Sequence, residues 1–238
     1  MSEKWSAHVA PHGELEELGP SLWSVRGSLN RNPLPRNMVI WKMPSGGLLL
    51  HSCICLNDEG MNALEALGPV EILVVPCHMH TVDIKPYQER FPESKTVAPQ
   101  CTIKELEGRV RVDESVEDCL LHLGVTVHKP KGVRDFELHL EIPLDEDNTA
   151  LIVTDILFNL APTPPKGFGG FMLKLFGSVK PLGMTPIGKR LLLQNADELR
   201  AYLHELAAIQ TLSVLCVAHG QHLTQNVGEE LQNAANRL

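Results

Sequence analysis

The sequence predicts an α/β fold arranged as a four-layer α/β/β/α sandwich, with residues 1–238 forming a single domain. Three observations carry this prediction. Short continuous apolar runs at 72–75, 151–153 and 213–217 read as strands buried on both faces. Strand and helix patterns alternate in two successive series, one in each half of the chain. Buried strands of this kind need helices on their outer faces, which gives the layers.

The elements follow in order. Residues 21–25 and 38–43 pattern as strands, Pro44-Ser45-Gly46-Gly47 as a hairpin turn, and 48–52 as the returning strand. Asn57 can N-cap a helix with Met61, Leu64 and Leu67 on one face, stopped by Gly68-Pro69. A strand at 70–75 comes next, then a short helix over 84–91 closed by Pro92, then a strand beginning at Thr96-Val97. In the second half, Ser115-Val116-Glu117-Asp118 starts a helix that ends near Leu123-Gly124. Strands are expected at 125–128, 136–142, 150–153 and 212–217, and a helix over 196–208 with Leu199, Leu203 and Leu206 on one side. Leu223, Val227, Leu231 and Leu238 stand at helical spacing and predict a last helix.

Residues 159–188 break the pattern. They hold five of the 17 prolines, with Gly167-Phe168-Gly169-Gly170-Phe171-Met172-Leu173-Lys174-Leu175-Phe176-Gly177 in their middle. A loop this long inside a compact domain is usually functional or disordered, and its Phe, Met and Leu content argues against plain disorder. It reads as an inserted lid: a lid, a partner surface and a membrane-contacting helix all fit, and a lid or homodimer contact fits best.

Composition narrows the function. Net charge is −8 and no Lys/Arg run occurs, which argues against a nucleic-acid surface. No apolar stretch reaches the ~18 residues of a membrane span, so stable membrane insertion is not expected. The N-terminus shows no secretory signal pattern, and the six cysteines form no C-x-x-C pair. Both point to a cytoplasmic protein with reduced thiols, and the expected partner is a small-molecule substrate.

Three strand ends carry metal-competent residues. The run 72–75 leads into Pro76-Cys77-His78-Met79-His80-Thr81-Val82-Asp83, the run 151–153 into Thr154-Asp155, and the run 213–217 into Ala218-His219-Gly220-Gln221-His222. Sites collect at the carboxyl ends of such strands. His78, His80, Asp155 and His219 are therefore the candidate metal ligands, with Asp83 as a fifth ligand or as a partner holding a ligand. Cys77 reads as a small buried hydrophobe rather than a soft ligand. His51, His122, His139 and His204 read as ordinary strand or helix residues, and His222 as a surface or cap residue.

At these motifs the chain resembles the metallo-β-lactamase fold superfamily, in a branch with an altered ligand set, over roughly residues 20 to 238. The family pattern is His-x-His-x-Asp-His after a strand, a middle Gly-His, a Thr-Gly-Asp and a late Gly-His. The segment 76–83 takes the first place, Val153-Thr154-Asp155 the third and Val217-Ala218-His219-Gly220 the last. Val82 stands where the pattern has its Asp, Asp83 where it has its final His, and no His occurs in 129–134, where the middle Gly-His belongs. His128 and His139 flank that gap. The resemblance implies that Asp155 aligns with the carboxylate that bridges the ions.

Imidazole and carboxylate suit a divalent metal, zinc first, with iron or manganese as alternatives. The expected function is a metal-dependent hydrolase acting through a metal-bound hydroxide on an ester, thioester, amide or phosphoester. Asp83 or Asp155 would orient or deprotonate the water. The alternative is a catalytically degenerate member of the fold serving as a binding or dimerisation module.

Overall fold

The computed structural model describes residues 3–29 and 32–238, with the side chains of residues 3, 32 and 33 excepted. The chain forms two compact units, Met1–Asn30 with Asn37–Gly124, and Arg31–Arg36 with Val125–Leu238.

The first unit carries most of a seven-stranded sheet in sequential order. Its elements are α1 (Glu3–Ser6), β1 (His12–Gly19), β2 (Leu22–Leu29), β3 (Asn32–Lys42), β4 (Leu48–His51), α2 (Asp58–Leu67), β5 (Val70–Val74), α3 (Ile84–Arg90), β6 (Lys95–Ala98), α4 (Ile103–Leu106), β7 (Glu114–Ser115) and α5 (Val116–Cys119). The β3–β4 hairpin turns where Pro44-Ser45-Gly46-Gly47 predicts it, with β3 and β4 antiparallel. From β4 onward the pairing is parallel, β4 to β5 to β6 to β7. Asn57 caps α2 as expected, its side chain accepting the Gly60 amide, and Met61 and Leu64 are buried. They join a core with Leu48, Leu50, Leu73, Ile54 and Tyr87. Each such fully buried aliphatic side chain contributes about 1.5–3 kcal/mol.

The second unit carries a four-stranded sheet in the order β11-β10-β9-β8. Its elements are β8 (Thr126–His128), β9 (His139–Pro143), β10 (Thr149–Val153), α6 (Gly167–Leu175), α7 (Pro186–Leu191), α8 (Ala196–Ala207), β11 (Leu212–Val217) and α9 (Val227–Asn236). Helices α8 and α9 bury Leu199, Leu203, Leu206 and Leu231 in a core with Leu151, Val153, Leu215 and Val217. The mixed α/β class with two sheets is the one the sequence predicts.

Several elements depart from expectation: β1 and α7 stand where no element is predicted, and the helix begun at Ser115 stops at Cys119. The predicted strand 136–142 starts at His139, because β8 pairs with β9 only as far as His128↔His139. The last helix excludes Leu223 and Leu238: Leu223 exchanges both backbone hydrogen bonds with Leu215, at 2.8 and 3.0 Å, so the chain is extended there. The segment 159–188 contains the helix α6, with prolines ahead of it and Gly177 (φ 66) after it. No helix among the described residues is long and apolar enough to cross a membrane.

Candidate metal centre

Strand register explains how each unit gathers its polar residues. In the second unit β10 and β11 run parallel with Val153 opposite Val217, and the Ala218 amide continues the pairing onto Val153 O at 3.1 Å. Asp155 and His219 therefore leave their strands side by side. His219 Nε2 lies 3.1 Å from Asp155 Oδ1, and both residues are buried.

The other face of the His219 ring fixes its tautomer. Nδ1 lies 2.7 Å from the carbonyl oxygen of Pro35, which can only accept, so Nδ1 carries the proton. Phe158 packs on the ring at 4.6 Å between centroids. The ring thus presents Nε2 toward a carboxylate oxygen, two lone-pair donors facing each other. A proton or a cation between them is what such a pair requires. An imidazole held by a backbone carbonyl through its second nitrogen is the usual posture of a metal-ligating histidine.

The loop carrying His219 is itself pinned. Asn159 N donates to His219 O at 3.0 Å, and the Gln221 amide donates to Asn159 O at 2.9 Å. Gly220 has φ +109, and a Cβ there would lie 2.0 Å from Asn159 O, so only glycine fits this crossing.

Behind Asp155 stands a carboxylate absent from the predicted site, Glu137. Its Oε2 accepts the Asp155 amide at 2.6 Å and its Oε1 the Thr154 amide at 3.0 Å. His139 completes the set, 3.1 Å from Glu137 Oε1, with Tyr202 Oη 2.9 Å from its Nδ1. Burial, then the nearby Glu137 and Glu205, push the Tyr202 phenol well above its ordinary pKa. Its O–H therefore donates to Nδ1, and His139 Nε2–H donates to Glu137. This chain of bonds holds the Thr154-Asp155 turn from beneath.

In the first unit, parallel pairing of His51 with Val74 brings the end of β4 beside the end of β5. Ser52 follows His51 in the left-handed region (φ 61), and its Oγ lies 2.7 Å from His80 Nδ1. His80 N bonds Cys77 O at 3.1 Å, closing the turn, and Cys77 Sγ lies within 4.8 Å of a ligand nitrogen of His80. Cys77 is buried and His78 half-buried in this turn. Asp83 is buried, and its Oδ2 accepts the Cys55 amide at 3.0 Å. His51 is fully buried; burial first, and the neighbouring His80 second, lower its pKa to about 3. His222 accepts the Val217 amide at Nδ1, 3.2 Å away.

Of the five expected ligands, the structure pairs Asp155 with His219 in one unit and sets His78, His80 and Asp83 along one turn and helix start in the other. Sequence reasoning missed Ser52, Glu137 and the Pro35 carbonyl, which hold His80, Asp155 and His219 in place. A serine at a strand end gave a faint signal, while a carbonyl gives none.

Solved structures match this arrangement of elements. The DIM-1 metallo-β-lactamase exposed to ceftazidime superposes with a TM-score of 0.63 at 11% identity, covering 96% of this chain and 98% of that one. The fold is that of the metallo-β-lactamases. The mono-zinc form of the metallo-β-lactamase FIM-1 from Pseudomonas aeruginosa gives 0.61 at 10% identity, covering 97% of each chain. The Erythrobacter litoralis metallo-β-lactamase gives 0.60 at 13%, covering 94% of this chain and 96% of that one. No protein-family model and no curated protein matches the chain.

Within the metallo-β-lactamase fold, the missing middle histidine has no substitute among its neighbours in sequence. His128 Nε2 is paired with Glu141 Oε2 at 2.8 Å, and His139 is enclosed between Glu137 and Tyr202.

Proposed function

We propose that the chain, working as one domain over residues 1–238, is a metal-dependent hydrolase with a reduced ligand set. In this reading His78, His80, Asp155 and His219 hold one divalent ion, with Asp83 as a further ligand or as a holder of the site. The orientation of His219 carries the proposal: its Nδ1 proton is committed to Pro35 O, so Nε2 and Asp155 Oδ1 face each other across a position that a proton or a cation would fill. The His80 ring, anchored by Ser52 through Nδ1, supports the same reading. Imidazoles and a carboxylate suit zinc best, with iron or manganese as the next choices.

Such an ion supplies Lewis acidity and makes bound water acidic near neutral pH. The chain's own contribution is positioning. Glu137 fixes the Asp155 backbone, so that its carboxylate can orient a water or take its proton, while Phe158 and Pro35 keep His219 from rotating. The substrate class is an ester, thioester, amide or phosphoester on a small molecule, and the six cysteines, none of them in a disulfide, support a cytoplasmic setting.

The absence of a free histidine near 129–134 favours one alternative, a degenerate member of the fold that binds without turnover. Assay of zinc-, iron- and manganese-loaded protein against chromogenic esters, thioesters, phosphoesters and a β-lactam separates the two. Turnover that disappears on chelation and in Asp155→Asn supports the hydrolase. Stoichiometric metal without turnover on any class supports the binding module.

A further inference from the structure

The segment between Asp155 and Asp197 has a character unlike the rest of the chain. Residues 156–196 contain Lys166, Lys174, Lys180, Lys189 and Arg190 and no Asp or Glu, in a protein whose net charge is −8. All 29 acidic residues lie elsewhere. The same segment carries six of the large apolar side chains that the fold leaves in solvent: Phe168, Phe171, Leu175 and Phe176 on and just after α6, and Ile187 and Leu191 on α7.

Their spacing is ordered. Phe168, Phe171 and Leu175 follow one another at i, i+3 and i+7, which lines them along one face of α6. Phe168 is 81% exposed, Phe171 60% and Leu175 65%, so this apolar face points to water. The opposite side packs on the chain that leads into the helix. Gly170 is buried, and a Cβ there would lie 1.9 Å from Pro165 O. Ile187 and Leu191 stand at i and i+4 on α7, again on one face. A Cβ at Gly177, just after α6, would lie 3.7 Å from Pro186 Cγ at the start of α7, so these two ends are neighbours. Lys174 and Arg190 are exposed among these residues.

We propose that α6 and α7 form a docking face for an anionic lipid bilayer, on which α6 lies in the plane of the headgroups. Three properties fit this occupant. At nine residues α6 is about 14 Å long, too short to span a bilayer but long enough to lie in its interface. Phenylalanine and leucine on one face with lysines beside them is the composition of an interfacial helix. The local excess of positive charge complements anionic headgroups while the remaining acidic surface is repelled by them, which orients the protein with this face down. A symmetric dimer through this face would instead bring the same basic segment against itself.

The test is co-sedimentation of the full chain with vesicles of phosphatidylcholine alone and of phosphatidylcholine with about one third phosphatidylglycerol. Binding to the anionic vesicles only, weakened by salt, is expected. Phe171→Ser with Leu175→Ser should lower the partition about tenfold or more, and Lys166→Glu with Lys174→Glu should reduce it to the level of neutral vesicles. Both variants change exposed side chains, and unchanged circular dichroism verifies their fold. No binding to either vesicle, or equal binding to both, would overturn the proposal. So would concentration-dependent dimerisation of the wild type that the Phe171→Ser, Leu175→Ser variant abolishes, since that assigns the face to a second copy.

Discussion

His139 and His219 each stand 3.1 Å from a carboxylate oxygen within the same unit, and everything else around them differs. His139 is closed. Its second nitrogen takes the Tyr202 hydroxyl, and its carboxylate partner is filled by two backbone amides. His219 is open. Its second nitrogen donates to a carbonyl, which leaves the nitrogen facing Asp155 to share a proton or a cation with that carboxylate. The contrast teaches that a histidine–carboxylate distance says little by itself. What the far nitrogen touches decides whether the pair is scaffold or ligand set.

The largest expected effect falls on the closed pair. Glu137→Ala removes the acceptor of two buried amides and one imidazole, and should cost roughly 3–5 kcal/mol in urea unfolding. A loss below ~1 kcal/mol would break the scaffold reading.

Next comes the hydrogen bond that holds His80. Ser52→Ala should weaken metal affinity by about ten- to a hundredfold, with little change in stability, when read by competition with a chromogenic chelator. Unchanged affinity would show that the His80 ring needs no such anchor.

His51 sharpens the comparison as a histidine kept neutral by burial first and by the neighbouring His80 second. Its pKa is about 3 when folded, against an ordinary value near 6.5, so the unfolded chain binds the proton first as pH falls. Stability from this residue is complete above pH ~6.5 and is lost from there down to about 3, at about 1.4 kcal/mol per pH unit. His51→Asn should flatten the acid limb of a stability-against-pH curve by that slope. An unchanged limb would place the acid sensitivity elsewhere.

The smallest effect belongs to Tyr202→Phe. Loss of the hydroxyl should cost about 1 kcal/mol of stability and leave metal content untouched.

Much of this was legible before the structure, for a definable reason. Continuous apolar runs ending in Thr154-Asp155 and Ala218-His219 mark buried strands and their tips, and parallel register then places those tips together. Asn57, Ser115 and the hairpin at 44–47 act within a few residues, so local chemistry suffices to read them. Glu137 was hidden because it acts across 17 and 18 residues on amides that advertise nothing in sequence. His139 looked like an ordinary strand residue, and the tertiary path that sets it against Tyr202, 63 positions away, has no local signature. Helix α6 was obscured by the prolines and glycines around it, which bound the helix rather than prevent it.

The most direct test of the His219–Asp155 pair is metal content by plasma mass spectrometry after expression in metal-replete medium. Wild-type protein and Tyr202→Phe should both carry close to one divalent ion per chain, while His219→Ala and Asp155→Asn should carry little or none. Metal-free wild type, or His219→Ala that retains a full complement, would contradict the account.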